Sequence, residues 1–66
     1  MNTKLVAKYH KLEKELAPLI ERLDACKEVN YHCTLELLND AKATADKLGF
    51  NRDVQYWQSR IKDLED

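Results

Sequence analysis

The chain contains one glycine, one proline and no long run of apolar residues. A single glycine excludes a glycine-rich phosphate-binding loop, and no apolar run approaches the ~18 residues that a membrane span requires. Charged residues make up 35% of the chain and hydrophobic residues 44%, a balance typical of helical proteins rather than disordered or β-rich ones. The composition therefore predicts an all-α fold.

The length of the chain limits the number of domains it can form, and its net charge indicates which partners to expect. Sixty-six residues predict a single small helical domain, 1–66, with a modest core that a partner would help to stabilise. The net charge of −1 points to neither nucleic acid nor a membrane as the partner. The apolar stretch near the start breaks too early for a signal peptide, so we expect a cytoplasmic protein.

The first predicted helix is marked by an apolar seam that repeats at spacings of four and three. This spacing predicts a helix over about residues 3–28. Pro18 lies inside it, so the helix either continues with a kink, which the unbroken register favours, or ends near residue 17. The seam consists of Leu5, Tyr9, Leu12, Leu16, Leu19 and Leu23.

The apolar pattern shifts by one position after residue 28. A chain reversal near 28–31, with Asn30 capping a second helix over 31–48, is the favoured interpretation. The alternative is one long helix in which Asn30 is a buried polar residue of a coiled coil. Gly49 can end the second helix in the left-handed conformation, and Asn51 can cap a third helix over 52–65.

The junction of the second and third helices has a second possible meaning. The stretch Thr44–Phe50 resembles the first helix and turn of the repressor-type helix-turn-helix family, which would imply a DNA-binding regulator using residues 35–64. That family buries the positions held here by Gln55 and Gln58, whereas the apolar residues Val54 and Trp57 fall one place earlier. We therefore favour a plain helix-to-helix corner at the glycine.

Few residues point to catalysis or to metal binding. Cys26, His32 and Cys33 lack the paired spacing of zinc sites, and Ser59 has no histidine near it in sequence to act as a base. Two such cysteines are more often small buried apolar residues than ligands. We predict no enzyme activity, no metal site and no cofactor.

Two groups of exposed side chains are candidates for binding another protein. Tyr56 and Arg60 lie one turn apart on the third helix, and such pairs are enriched in binding hot spots. The second group is Lys4, Lys8 and Lys11, which fall within about 60° of one another on the first helix. For the lysines, the simpler interpretation is a solvated face.

These observations favour a protein that acts by binding. We predict a non-enzymatic protein–protein interaction module, a small regulator, inhibitor or adaptor that uses a helix face. The predicted first helix is longer than the second, so part of its seam would lack a partner and could pair two copies into a helical-bundle homodimer. Small charged helical proteins of this kind are frequent among phage and mobile-element regulators. The DNA-binding regulator is the competing prediction.

Overall fold

The computed structural model of the chain describes residues 3–65, and these form three helices. They are α1 (Thr3–Asp24), α2 (Tyr31–Leu48) and α3 (Asn51–Glu65). The predicted all-α fold, a helical hairpin followed by a third helix, is confirmed. The molecule measures 37 × 18 × 17 Å along its principal axes. None of the helices described is long and apolar enough to cross a bilayer.

Helix α2 is the central element, since both α1 and α3 pack against it. Its inward face carries Leu38, Ala41 and Ala45, all with no exposed surface. The two alanines have no side-chain bulk beyond Cβ, so the neighbouring helices can approach the α2 backbone closely. The buried core comprises Tyr9, Leu12, Leu16, Leu38, Ala41, Ala45, Trp57 and Ile61.

Helix α1 continues through Pro18, as the unbroken apolar register favoured. It ends at Asp24, four residues before the predicted end. Cys26 adopts the left-handed conformation, with φ of 58°. Its amide donates to Leu23 O at 3.1 Å, and the amide of Lys27 donates to Arg22 O at 2.8 Å. This pair of bonds is a Schellman motif, which closes the helix although no glycine is present.

The predicted chain reversal and the Asn30 cap are confirmed. Asn30 has an extended backbone conformation, and its Oδ1 accepts a 3.0 Å hydrogen bond from the amide of Cys33. The Asn30 carbonyl then accepts from the amide of Thr34, which begins the helical ladder of α2. The rival interpretation of one continuous helix, with Asn30 buried in a seam, is wrong, because Asn30 is exposed.

The corner between α2 and α3 is a second Schellman motif, built on the predicted glycine. Gly49 has φ of 79°, and its amide donates to Asp46 O while the amide of Phe50 donates to Ala45 O. The Phe50 carbonyl already accepts from the amide of Val54 at 3.0 Å. Helix α3 therefore begins at Asn51, one residue early, and Asn51 is its first residue rather than its cap.

One buried polar atom in the core lacks a partner. Thr34 has no exposed surface, and its Oγ1 has no hydrogen-bond partner among the described residues. The other buried threonine of α2, Thr44, donates to the Asp40 carbonyl at 2.7 Å. An unsatisfied buried hydroxyl costs about 1–3 kcal/mol, so Thr34 weakens the junction of the helices around it.

Cys26 and Gly49 both adopt the left-handed conformation, and substitutions at these two positions should change stability in opposite directions. Cys26→Gly should stabilise the fold by about 0.5–1 kcal/mol, because it relieves the left-handed conformation of a residue with a Cβ atom. Gly49→Ala should destabilise it by about 1 kcal/mol; its Cβ would meet no described atom within 4 Å, so the cost is conformational. Urea unfolding followed by circular dichroism measures both, and a loss of stability in Cys26→Gly would contradict the assignment of this helix end.

Candidate partner-binding groove

An open groove of about 410 Å³ runs between α1 and α3. It exists because both helices pack on α2, which leaves a furrow where their facing sides diverge. Helices α1 and α3 run in the same direction, because the Tyr9–Asp53 contact joins their first halves and the Asp24–Arg60 contact joins their later parts. The groove is lined by Tyr9, Glu13, Ala17 and Ile20 of α1 and by Asp53, Tyr56 and Trp57 of α3.

The floor of the groove is a chain of two hydrogen bonds between α1 and α3. The Trp57 Nε1–H donates to the Tyr9 hydroxyl at 2.9 Å, and that hydroxyl donates to Asp53 Oδ2 at 2.7 Å. Tyr9 is 3% exposed and Trp57 is 4% exposed. Each polar atom of the two buried rings therefore has a partner, which is what burial of a tyrosine and a tryptophan requires.

The environment of the Tyr9 hydroxyl raises the pKa of this residue to about 12. Burial, which penalises the phenolate, is the largest cause. The hydrogen bond and the negative charge of Asp53 raise the pKa further, as does the charge of Glu13, while the hydrogen bond from Trp57 acts in the opposite direction. Two carboxylates therefore act on the hydroxyl at the base of the groove.

At the other end of the groove, Tyr56 and Arg60 form an ordered pair. The guanidinium Cζ of Arg60 lies 5.4 Å from the centre of the Tyr56 ring, and its Nε donates to the Tyr56 hydroxyl at 3.3 Å. Arg60 also bonds both carboxylate oxygens of Asp24 in α1, at 2.7 and 3.4 Å. The hydrogen bonds to Asp24 and Tyr56 raise the pKa of Arg60 further above its already high ordinary value.

Tyr56 combines exposure with a fixed position. Its ring is packed edge-on against that of Trp57, with ring centres 4.9 Å apart, and the residue is 44% exposed. A tyrosine that is held on two sides by Trp57 and Arg60 loses little conformational entropy when a partner covers it. This is the arrangement expected of an aromatic anchor at a protein interface.

The α1 wall of the groove has a different character. Glu13 and Ile20 are half-buried, and the exposed Ala17 lies between them. The small side chain of Ala17 leaves a depression beside the apolar Ile20. These three residues follow each other at spacings of four and three, on one side of the predicted seam. Their spacing along the sequence therefore already places them on one face of α1.

The structure separates the two predicted groups of binding residues. Tyr56 lines the groove and Arg60 adjoins it, whereas Lys4, Lys8 and Lys11 are exposed elsewhere on α1. At ~100° per residue, these lysines point about 140–180° away from Glu13 around the helix axis. The lysine stripe and the Tyr56–Arg60 pair therefore belong to different surfaces, and each stays a separate prediction.

The predicted self-association seam is largely used within the chain. Tyr9, Leu12 and Leu16 are buried against the other helices, and Leu5, Leu19 and Leu23 are half-buried. The observed α1 has 22 residues against 18 in α2, a smaller excess than the predicted boundaries gave. Formation of a homodimer stays a prediction, with less free apolar surface available to it than the sequence suggested.

The expectation that Cys26 and Cys33 are buried apolar residues is wrong, because both are free thiols on exposed residues in the turn after α1 and at the start of α2. Within residues 3–65, no three histidine, cysteine or acidic side chains lie close enough together to hold a metal ion. Cys26 lies in the turn that closes α1, and Cys33 lies in the first turn of α2. Neither residue lines the groove.

No protein-family model, curated protein or solved structure matches this chain. The candidate site therefore depends on the geometry of the groove itself.

The corner that resembles a helix-turn-helix has a two-residue connection, Gly49 and Phe50, between α2 and α3. Trp57 is buried at the α3 position that the helix-to-helix corner predicts, while Gln55 and Gln58 are exposed. Gln58 accepts a hydrogen bond from Lys42 of α2. In this helix Arg60 is held by Asp24, so its charge is directed toward α1 rather than toward a nucleic-acid phosphate.

The raised pKa of Tyr9 predicts a loss of stability at high pH. The phenol of the unfolded chain ionises near pH 10, whereas the folded chain holds the proton until about pH 12. The folded state therefore binds more protons in this window, and its stability falls as pH rises from 10 to 12, by an amount on the order of 2 kcal/mol.

Tyr9→Phe is the matched variant for this prediction. It should be less stable at neutral pH by about 2 kcal/mol, because the buried indole N–H of Trp57 loses its acceptor. It should also lose less stability between pH 10 and 12 than the wild type does. Unfolding curves in this range measure the difference, and equal pH slopes for the two proteins would contradict the burial of the Tyr9 hydroxyl.

Proposed function

We propose that this chain is a non-enzymatic protein-interaction module that holds a helix of another protein in the α1–α3 groove. The observation that carries the proposal is the combination of an exposed tyrosine, Tyr56, which contacts both Trp57 and Arg60, with the depression at Ala17 and Ile20 across the groove. In this proposal the protein acts as a regulator, inhibitor or adaptor, because a groove of this kind occupies or presents a surface.

The shape of the groove fits a helix better than an extended peptide. Its walls are the sides of two helices that run in the same direction, and it lies alongside both of them. An amphipathic helix placed there would complete a four-helix arrangement and bury its apolar face against Ile20, Ala17 and Tyr56. An extended strand would find no open sheet edge here, since residues 3–65 are helical or in short connections.

Arg60 has a structural role besides any role in binding, and this decides which variants are informative. Its contacts with Asp24 tie the C-terminal part of α1 to α3. Replacing Arg60 would therefore change the shape of the groove as well as remove a possible contact with the partner. Ala17 is the better target, because it is exposed and a larger side chain there extends into the groove without displacing any core residue.

The proposal predicts that filling the groove abolishes binding without unfolding the protein. In an affinity capture from the native source, quantified by mass spectrometry, Ala17→Gln and Tyr56→Ala should each reduce recovery of a specific partner by about tenfold or more, the effect of losing ~1.4 kcal/mol. Circular dichroism should show unchanged helix content.

Two matched controls are present in the same chain. Ala7→Gln makes the same change at an exposed position of α1 outside the groove, and Tyr31→Ala removes a second tyrosine that is also 44% exposed. Both should retain the partner. Loss of capture in the controls as well, or full capture by Ala17→Gln, would rule out the groove as the binding surface.

A further inference from the structure

The charges that line the groove identify the kind of helix that it accepts. Resting on the proposed function, we infer that the occupant is a basic amphipathic helix, which places lysine or arginine against Glu13 and Asp53 while its apolar face covers Ala17, Ile20 and Tyr56.

The two side chains lining the groove that carry a charge at neutral pH are both acidic. Glu13 lies on the α1 wall and Asp53 on the α3 wall, near the buried hydroxyl of Tyr9. Asp53 accepts the hydrogen bond of the Tyr9 hydroxyl at 2.7 Å, and the charges of both carboxylates act to raise the pKa of Tyr9. A partner with positive charge at this end of the groove would meet an attractive potential from both walls.

Neither carboxylate is neutralised by a permanent cation within residues 3–65. Asp53 accepts the hydrogen bond of Tyr9 and forms no ion pair among these residues. Glu13 lies 3.3 Å from His10 Nδ1, and an imidazole is charged only when protonated. Arg60, which contacts the groove residue Tyr56, is already paired with Asp24 at 2.7 Å. The groove therefore keeps two negative charges for a partner.

The spacing along α1 matches a short helical contact. From Glu13 to Ile20 the wall covers seven steps, which is about 10 Å or two helical turns at ~1.5 Å per residue. The acidic position and the apolar position lie at opposite ends of this interval, with Ala17 between them. A docking helix would therefore present its cation about two turns away from its main apolar contact.

A pair of designed peptides tests this inference without knowledge of the natural partner. Both peptides are helical, lack tryptophan and share one apolar face of leucine and alanine; they differ only in carrying lysine or glutamate beside that face. Trp57 is the only tryptophan in the chain and lies in the groove, so its fluorescence and the NMR signal of its indole N–H report binding at this site.

The lysine peptide should bind the wild-type protein at least about tenfold more tightly than the glutamate peptide at low ionic strength, a preference that salt reduces. Glu13→Gln should reduce that preference several-fold. The matched control is Glu15→Gln, which removes the same charge from an exposed position of the same helix outside the groove and should leave the preference unchanged.

The outcomes separate this inference from the proposed function. If Ala17→Gln abolishes binding of both peptides but the protein prefers neither, the groove binds helices and the inference about charge is wrong. If Ala17→Gln has no effect on peptide binding, the groove is not the site. If ultracentrifugation without peptide shows a dimer that Ala17→Gln dissociates, the occupant is a second copy of this chain, and the inference is likewise overturned.

Discussion

The hydrogen-bond chain from Trp57 through Tyr9 to Asp53 determines how α3 sits relative to α1. An indole N–H can only donate and an ionised carboxylate can only accept, so the hydroxyl between them must accept from Trp57 and donate to Asp53. Phenylalanine at position 9 would fill the same space but satisfy neither neighbour. This polar contact therefore links α3 to α1 directly, in addition to the packing of both helices on α2.

This constraint also explains why a groove is present. Tyr9 reaches from α1 to α3 with a long side chain, and at the other end Arg60 reaches from α3 to Asp24. Both contacts are made by extended side chains, so the surfaces between them are left apart. The small side chain of Ala17 keeps that space open, and Tyr56 is held at its edge by Arg60 and Trp57. The interactions that hold the helices together therefore also shape the proposed binding surface.

The parts of the structure that local signals control could be predicted from the sequence, and the parts that depend on distant contacts could not. Asn30 caps α2 and Gly49 ends it because each acts on residues beside it in the chain. The end of α1 at Asp24 could not be predicted from the apolar spacing, because Cys26 continues that spacing yet adopts a conformation that usually marks glycine.

The contacts between distant parts of the chain left no such local signal. The contact of Tyr9 with Asp53 joins residues 44 positions apart, and that of Arg60 with Asp24 joins residues 36 apart. Helical periodicity could identify Trp57 as buried and Tyr56 as exposed, but it could not place Glu13 and Ala17 opposite Tyr56.

The most direct test of this account is hydrogen exchange at the indole N–H of Trp57, followed by NMR. An indole that donates to a buried hydroxyl at the junction of α1 and α3 exchanges only when that junction opens. We expect its exchange to be as slow as that of the most protected amides in α1 and α2. Exchange as fast as that of an exposed indole, in a protein whose helices remain protected, would show that the chain from Trp57 through Tyr9 to Asp53 does not hold the two helices together.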